Sequence, residues 1–276
     1  IDYASSGGYS STPIGSEQSI HSTDQSGSGY RSDYSYTRTD KTFEAYVAYN
    51  KDINKHHVDA MLGYSWQQFY NKSRNYSYKL TDGAKLSEGN PAGELFLVSF
   101  FGRVNYTYDN RYMLTATVRR DGTSRFQNNK WGLFPSVALG WNIANEEFLK
   151  DNETLTTLKL RASWGQNGNC AVDNFQYLAT VAIGPDNGGY AFGHGALENW
   201  QTGSYADKLA NADISWETSE QIDLGFDARF ANNRLHMTFD WYQKNTKDWL
   251  VNAPVMGHFG TGDPYINGGD VRHTGV

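Results

Sequence analysis

Gln221-Ile-Asp-Leu-Gly-Phe-Asp-Ala-Arg-Phe230 is followed by Ala231-Asn-Asn233 and then by Arg234-Leu-His-Met-Thr-Phe-Asp-Trp-Tyr242. Ile222, Leu224, Phe226, Ala228 and Phe230 alternate with Gln221, Asp223, Asp227 and Arg229. Leu235, Met237, Phe239 and Trp241 alternate with His236, Thr238, Asp240 and Tyr242. A period of two sends alternate residues to opposite faces of a strand, and a short polar link turns the chain back on itself. The stretch reads as an antiparallel hairpin with one apolar and one charged face.

The same pattern recurs upstream. Phe43, Ala45, Val47 and Tyr49 alternate with polar or small residues, and so do Val58, Ala60, Leu62, Tyr64 and Trp66. Phe100 to Tyr108 and Tyr112 to Val118 form a third and fourth strand about Asp109-Asn-Arg111, and Val137 to Ile143 and Leu158 to Trp164 a fifth and sixth. Strands are thus predicted near 42–50, 57–70, 98–108, 111–120, 132–143, 157–165, 216–230 and 234–246, with one helical turn over 146–150. Residues 1–40 read as a loop or poorly ordered segment, and 41–276 as one domain. Within hairpins the links are short; between hairpins they are long and polar, over 71–97, 121–130, 166–215 and from 245 onward. A soluble sandwich has turn signals at roughly even spacing. Alternating short and long links are the pattern of a membrane barrel with periplasmic turns and extracellular loops.

Composition agrees. Aromatics make up 15% of residues while only 38% are hydrophobic, as expected when apolar side chains occupy every second position of membrane strands. No run reaches the roughly 18 apolar residues of a spanning helix. Tyr49, Tyr108 and Tyr112 near short turns, and Trp66, Trp164 and Trp249 near long loops, are placed for the two headgroup levels. A net charge of −6 excludes a nucleic-acid partner, which needs a basic surface. Cys170 is the single cysteine, so no internal disulfide or cysteine-based zinc site is expected. Residues 1–28 lack the basic start and apolar block of a signal peptide, and Val271 to Val276 read as a strand just beginning. Both ends are therefore expected to be truncations. The fold class is all-β: an antiparallel transmembrane β-barrel, about eight strands of it, with long extracellular loops.

Tyr112-Met-Leu-Thr-Ala-Thr-Val-Arg-Arg-Asp-Gly-Thr-Ser-Arg-Phe126 closely resembles the SusC/RagA class of TonB-dependent outer-membrane transporters of Bacteroidota. The resemblance continues, in order, through Trp131-Gly-Leu-Phe-Pro-Ser136, Ala138-Leu-Gly-Trp-Asn142 and Leu158-Lys-Leu-Arg-Ala-Ser-Trp-Gly-Gln-Asn-Gly-Asn169. It extends to Trp216-Glu-Thr-Ser-Glu-Gln-Ile-Asp-Leu-Gly-Phe-Asp-Ala-Arg-Phe230, Asp240-Trp-Tyr-Gln-Lys-Asn-Thr-Lys-Asp-Trp-Leu250 and Ile266-Asn-Gly-Gly-Asp-Val271. It implies a barrel of about 22 strands with a plug, energised through TonB and capped by a SusD-like surface lipoprotein. It implies import of glycans or oligosaccharides, or of peptides, across the bacterial outer membrane. The plug and the TonB-contacting segment are not among these residues. A secreted carbohydrate-binding β-sandwich module is the competing reading.

Asp59, Asp223, Asp227, Asp240, Arg103, Arg119, Lys159, Arg161 and Arg229 fall on the charged faces. They read either as a contact surface for substrate or plug, or as cross-strand pairs in a wet lumen. Leu114, Leu160, Leu224 and Phe239 fall on the faces assigned to lipid. Tyr190, Phe192, Trp200 and Tyr205, in the longest loop, are the candidate ligand-binding residues, because aromatic faces stack on sugars. No catalytic signature or phosphate loop occurs, and no enzyme is expected. No cofactor is expected either. His56 and His57 point to opposite faces, and Thr261-Gly-Asp-Pro264 and Asp186-Asn-Gly-Gly189 fall short of a calcium-loop spacing. Asp121-Gly122 and Asn167-Gly168 read as turns where glycine takes a positive φ, and Gly268-Gly269 as a close approach or a bulge.

Overall fold

A strand that crosses hydrocarbon must satisfy its backbone groups on neighbouring strands, and long antiparallel ladders dominate this chain. The computed structural model describes residues 2–3, 8–10, 18–23, 30–79, 85–149, 152, 154–183, 190–191, 200–201, 203–231 and 234–276. Two compact units are formed, one by residues 1–43 and 65–97 and the other by 44–64 and 98–276.

In the first unit β1 (Asp2–Tyr3), β2 (Gly8–Ser10) and β3 (Gln18–Thr23) pair antiparallel in succession, and β3 pairs with the start of β4 (Tyr30–Ile53). The end of β5 (His56–Lys79) pairs with β6 (Lys85–Gly89), and the unit closes with the start of β7 (Ala92–Tyr108). Within 1–40, where a loop or poorly ordered segment is expected, the described residues 2–3, 8–10, 18–23 and 30–40 are strand. Both β4 and β5 are 24 residues long, against the roughly 9–11 needed to cross a bilayer. The surplus is rich in Ser, Thr, Tyr and charged residues and lacks an apolar face, so alternation alone does not reveal it. Arg74 lies over the Tyr76 ring at 4.4 Å.

In the second unit β8 (Tyr112–Thr123), β9 (Trp131–Asn142), β10 (Leu155–Asn169), β15 (Glu217–Phe230), β16 (Leu235–Lys247) and β19 (Val271–Gly275) are neighbours in that order. The inserted hairpins pair β11 (Thr180–Ile183) with β14 (Ser204–Lys208), β12 (Tyr190–Ala191) with β13 (Trp200–Gln201), and β17 (Leu250–Asn252) with β18 (Tyr265–Asn267). The register aligns the faces read from the sequence: Leu114 opposes Leu139, Leu160 opposes Phe226 and Trp141, and Leu224 opposes Trp241 and Ala162. This apolar face is bare, with Leu139, Leu224 and Phe239 at 56%, 49% and 44% exposure. A sandwich would cover it with a second sheet; a barrel strand turns it to lipid.

The short links are tight. Asn54, Asp109 and Asn110 hold positive φ, as two-residue hairpin turns matched to strand twist require, and Ala231 does so at the start of the longer link to β16. A 3₁₀ turn at Ile143–Asn145 precedes the turn expected over 146–150, where the Leu149 amide donates to the Glu146 carbonyl at 3.0 Å. The 3₁₀ turn presents Glu146, which is 8% exposed, to the Tyr112 hydroxyl at 2.7 Å, the Trp141 indole at 2.9 Å and the Arg111 guanidinium at 3.2 Å. Those donors hold its carboxyl below the usual range, the indole and phenol contributing most. Tyr108, Tyr112 and Trp141 stack in a row at 6.4 and 6.3 Å, an aromatic band at the short-turn end.

At the long-loop end Phe126 and Ile214 are fully buried with Val172, packed by Cys170, Trp216, Leu250 and Tyr265. Burial pushes the Cys170 thiol up, so it packs there as a small neutral hydrophobe. Asp121-Gly122 and Asn167-Gly168 are not turns: both pairs lie inside strands, and neither glycine has a positive φ. They are small because rings lie across them. A Cβ on Gly122 would meet the Trp131 ring at 2.9 Å, and one on Gly168 would collide with the Phe134 ring. Gly269 does take the left-handed conformation, at φ +84.

Candidate functional site

The charged face of the second unit is the lumen wall, and its groups are brought together by register. Gly140, Arg161, Gly225 and Asp240 stand in one row across β9, β10, β15 and β16. Arg161 needs a flat path, and Gly225 provides it, since a Cβ there would run into the Asp240 carboxylate. The guanidinium reaches Asp240 at 2.9 Å and Asp227 at 2.9 and 3.3 Å, and Asp227 also accepts from Thr238 at 3.2 Å. One arginine therefore ties three strands together. The bidentate contact with Asp227 fixes its plane.

Toward the long loops the wall becomes hydroxyl- and amide-rich. A concavity of about 640 Å³ is lined by Thr115, Thr117, Arg119, Ser136, Asn167 and Asp223, among others. Asp223 accepts from Ser163 at 3.0 Å and Gln221 at 2.7 Å. Arg119 donates to Asp121 at 2.7 Å and to Ser99 at 3.0 Å. Asp59 accepts from Asn105, whose carbonyl accepts from Thr115, a relay across three strands at 3.0 and 2.9 Å. Cross-strand pairing thus accounts for Asp59, Arg119, Arg161, Asp223, Asp227 and Asp240. The surface it leaves is dense in fixed donors and acceptors.

Above the wall, loops are pinned by the buried cluster. Arg125 donates to the Cys170 carbonyl at 2.9 Å, Asn267 donates to the Ser215 and Asp248 carbonyls at 2.9 and 3.0 Å, and Glu217 accepts from the Leu250 backbone at 3.1 Å. Every residue in this network belongs to, or adjoins, one of the sequence blocks quoted above. Their convergence on one point is not visible in the sequence; the available signal is that these residues lie where strands meet long loops.

Of the four loop aromatics, Tyr205 lies on β14 and is 42% exposed. The backbone of Tyr190 pairs with Gln201 and that of Trp200 with Ala191, which places 190 and 200 at neighbouring positions of one hairpin. Phe192 and residues 184–189 lie outside the described residues. Among the described residues no cluster of three or more His, Cys, Asp or Glu is arranged to hold a metal. The Asp263 carboxylate accepts the Val255 amide at 2.9 Å.

The family model for TonB dependent receptor-like β-barrels matches residues 2–276. TonB-dependent receptor P3 of Formosa agariphila is 35% identical over all of this chain and 28% of its own length. TonB-dependent receptor SusC of Bacteroides thetaiotaomicron is 36% identical over 84% of this chain and 24% of its own length. The structure of the RagAB peptide importer in a closed-closed state covers 94% of this chain and 30% of its own, with 26% identity and a TM-score of 0.80. The chain thus spans about a quarter of the length of these curated relatives. They are receptors and transporters rather than enzymes. A bare apolar face, a wall of fixed polar groups and alternating short and long links are what a stretch of outer-membrane barrel requires, and the chain belongs to the TonB-dependent receptor β-barrel family, in its SusC- and RagA-like branch.

Proposed function

We propose that this chain is part of the wall of an active importer that carries oligosaccharides, or peptides, across the bacterial outer membrane. The observation that carries the reading is the lumen wall, where carboxylates, hydroxyls and amides are held in place by cross-strand pairs. A pre-ordered polar wall binds a hydrogen-bonding solute without having to order its own side chains first. The likeness to SusC and to the RagAB peptide importer supports the two solute classes. TonB would act on the full protein through regions outside this chain, and a SusD-like lipoprotein would close over the loops.

Tyr190, Phe192, Trp200 and Tyr205 are assigned to ligand contact from the loop side. Tyr205 is exposed, as a stacking residue must be. The test uses the full-length protein in its own outer membrane, with uptake of a labelled oligosaccharide mixture and a labelled peptide mixture measured before and after loss of TonB. TonB-dependent uptake of either mixture is the expected result. Uptake that is the same without the protein would overturn the reading. Replacing Trp200 and Tyr205 with Ala is expected to weaken binding about tenfold or more, from roughly 1.5 kcal/mol of stacking. An unchanged affinity would remove the loop aromatics from the site.

A further inference from the structure

Six residues other than glycine hold a positive φ among the described residues, and one of them is bulky. Asn54, Asp109, Asn110, Ala231 and Asp248 lie within two residues of a strand end. Phe175, at φ +64, lies well past the end of β10, inside the longest loop. Asn and Asp tolerate the left-handed region in turns, whereas a bulky side chain there is an outlier. Such a conformation persists only where the surroundings over-determine it, and it is found at ligand clamps and active sites.

The neighbours of Phe175 hold it on both sides. Val172 is buried in the cluster under the loops, and the Asn174 side chain accepts from Arg125 Nε at 3.4 Å. Gln176 is buried, its side chain accepting from Lys208 Nζ at 3.1 Å and its carbonyl from the Asn211 amide at 3.4 Å. Phe175 itself is 53% exposed, with its ring edge-on to that of Tyr177 at 6.1 Å. Burial of the ring therefore gives little in return for the strain.

This segment stands on the lumen side. Phe134 shares the lumen face of β9 with Ser136, lines the concavity of about 640 Å³ there and meets Trp216 at 5.5 Å. Trp216 packs on the cluster that contains Val172. Glu217, on the same face of β15 as Gln221 and Asp223, accepts the Leu250 amide at 3.1 Å, and Leu250 packs on the cluster too. The loop block is thus joined to the wall through lumen-facing residues.

We infer that Phe175, with Tyr177 beside it, is a fixed contact for the imported solute at the lumen mouth, and that it takes a flat apolar face: the C–H face of a sugar ring or the ring of an aromatic peptide side chain. Both residues lie outside the set Tyr190, Phe192, Trp200 and Tyr205. Two rings at a steep angle, 63° here, form a corner in which one can stack on such a face while the other borders its edge. A ring already immobilised by its neighbours has little freedom left to lose on binding. Glycine would adopt the same backbone without strain, so the turn itself does not call for phenylalanine; the ring does. The inference rests on the transport reading and adds a residue that the reading leaves unassigned.

The test uses the full-length protein in its own outer membrane, comparing wild type with Phe175→Gly, Phe175→Ala and Phe175→Tyr. The half-saturating concentration and maximal rate of TonB-dependent uptake are measured with the labelled oligosaccharide mixture and with the labelled peptide mixture. Loss of the ring in the Gly and Ala variants is expected to raise the half-saturating concentration about fivefold with little change in maximal rate, and Phe175→Tyr to stay within about twofold of wild type. The mixture that responds identifies the face as a sugar or an aromatic side chain. Limited proteolysis within 170–178 separates ring from backbone. Phe175→Gly should be cut no faster than wild type and Phe175→Ala faster than Phe175→Gly, since only alanine keeps the strain. An unchanged half-saturating concentration in Phe175→Gly would overturn the inference and leave the transport reading standing. Uptake by wild type no greater than without the protein would overturn both. Faster cutting of Phe175→Gly together with poorer uptake would make Phe175 a structural residue and overturn the inference. So would loss of a co-purifying lipoprotein from Phe175→Gly at an unchanged half-saturating concentration, which would give the ring to a partner protein.

Discussion

Leu224 and Gln221 lie three residues apart on β15 and face opposite media. Leu224 stands mid-strand on the bare face, 49% exposed, while Gln221 donates to Asp223 on the lumen wall at 2.7 Å. Leu224→Arg is therefore expected to cost about 2–4 kcal/mol, the figure for a cation near the bilayer midplane. Gln221→Arg should stay within about 0.5 kcal/mol. Urea-dependent folding of the full-length protein into lipid vesicles measures both, and equal costs would refute the facing. Glu146 gives a pH-dependent case. Its folded carboxyl is held below its usual value of 4.5 by the Trp141 and Tyr112 donors, so its contribution to stability is complete above that value and fades as pH falls through the lower folded value. Glu146→Gln should be less stable than wild type at neutral pH, and the gap should narrow below pH 4.5. A gap that widens on acidification would contradict the assignment. The alternating pattern made the sides of β15 and β16 legible. The glycines were misread because Gly122 and Gly168 are small for rings arriving from Trp131 and Phe134, partners that local sequence does not name.

Hairpins are the units that the sequence displays best, because a hairpin is local: alternation, a short polar link, then alternation in register. Long loops are the reverse case. The buried cluster joins Phe126 from one connection to Val172 and Ile214 from the two ends of another, with Trp216 edge-on to Phe126 at 5.8 Å and to Phe134 at 5.5 Å. Its members show no periodicity, and loop closure brings them together. Phe126→Ala should remove about 3–5 kcal/mol from this cluster. Limited proteolysis of the full-length protein is then expected to cut within 170–178 and 211–216 faster than in wild type, while heat-dependent gel migration stays the same. Loss of that migration as well would mean that the cluster supports the barrel and not only its loops. The extensions of β4 before residue 42 and of β5 past residue 70 escaped the sequence for a related reason, since they carry no apolar alternation.

As a whole, β19 pairs with β16 on one side and with no other strand among the described residues. In hydrocarbon an unpaired strand edge leaves backbone groups unsatisfied at several kcal/mol each. Residues 1–276 expressed alone are therefore expected to show no heat-dependent migration in detergent, whereas the full-length protein should. A stable, heat-modifiable fragment would mean that these strands close on themselves. Membrane strands, their two faces and the succession of short and long links were readable directly from residue order, because alternation and turn chemistry are local properties of the chain. The Arg161 tie across three strands and the shared cluster under the loops arise only once register sets residues from distant strands side by side, and register comes from the pairing of whole ladders.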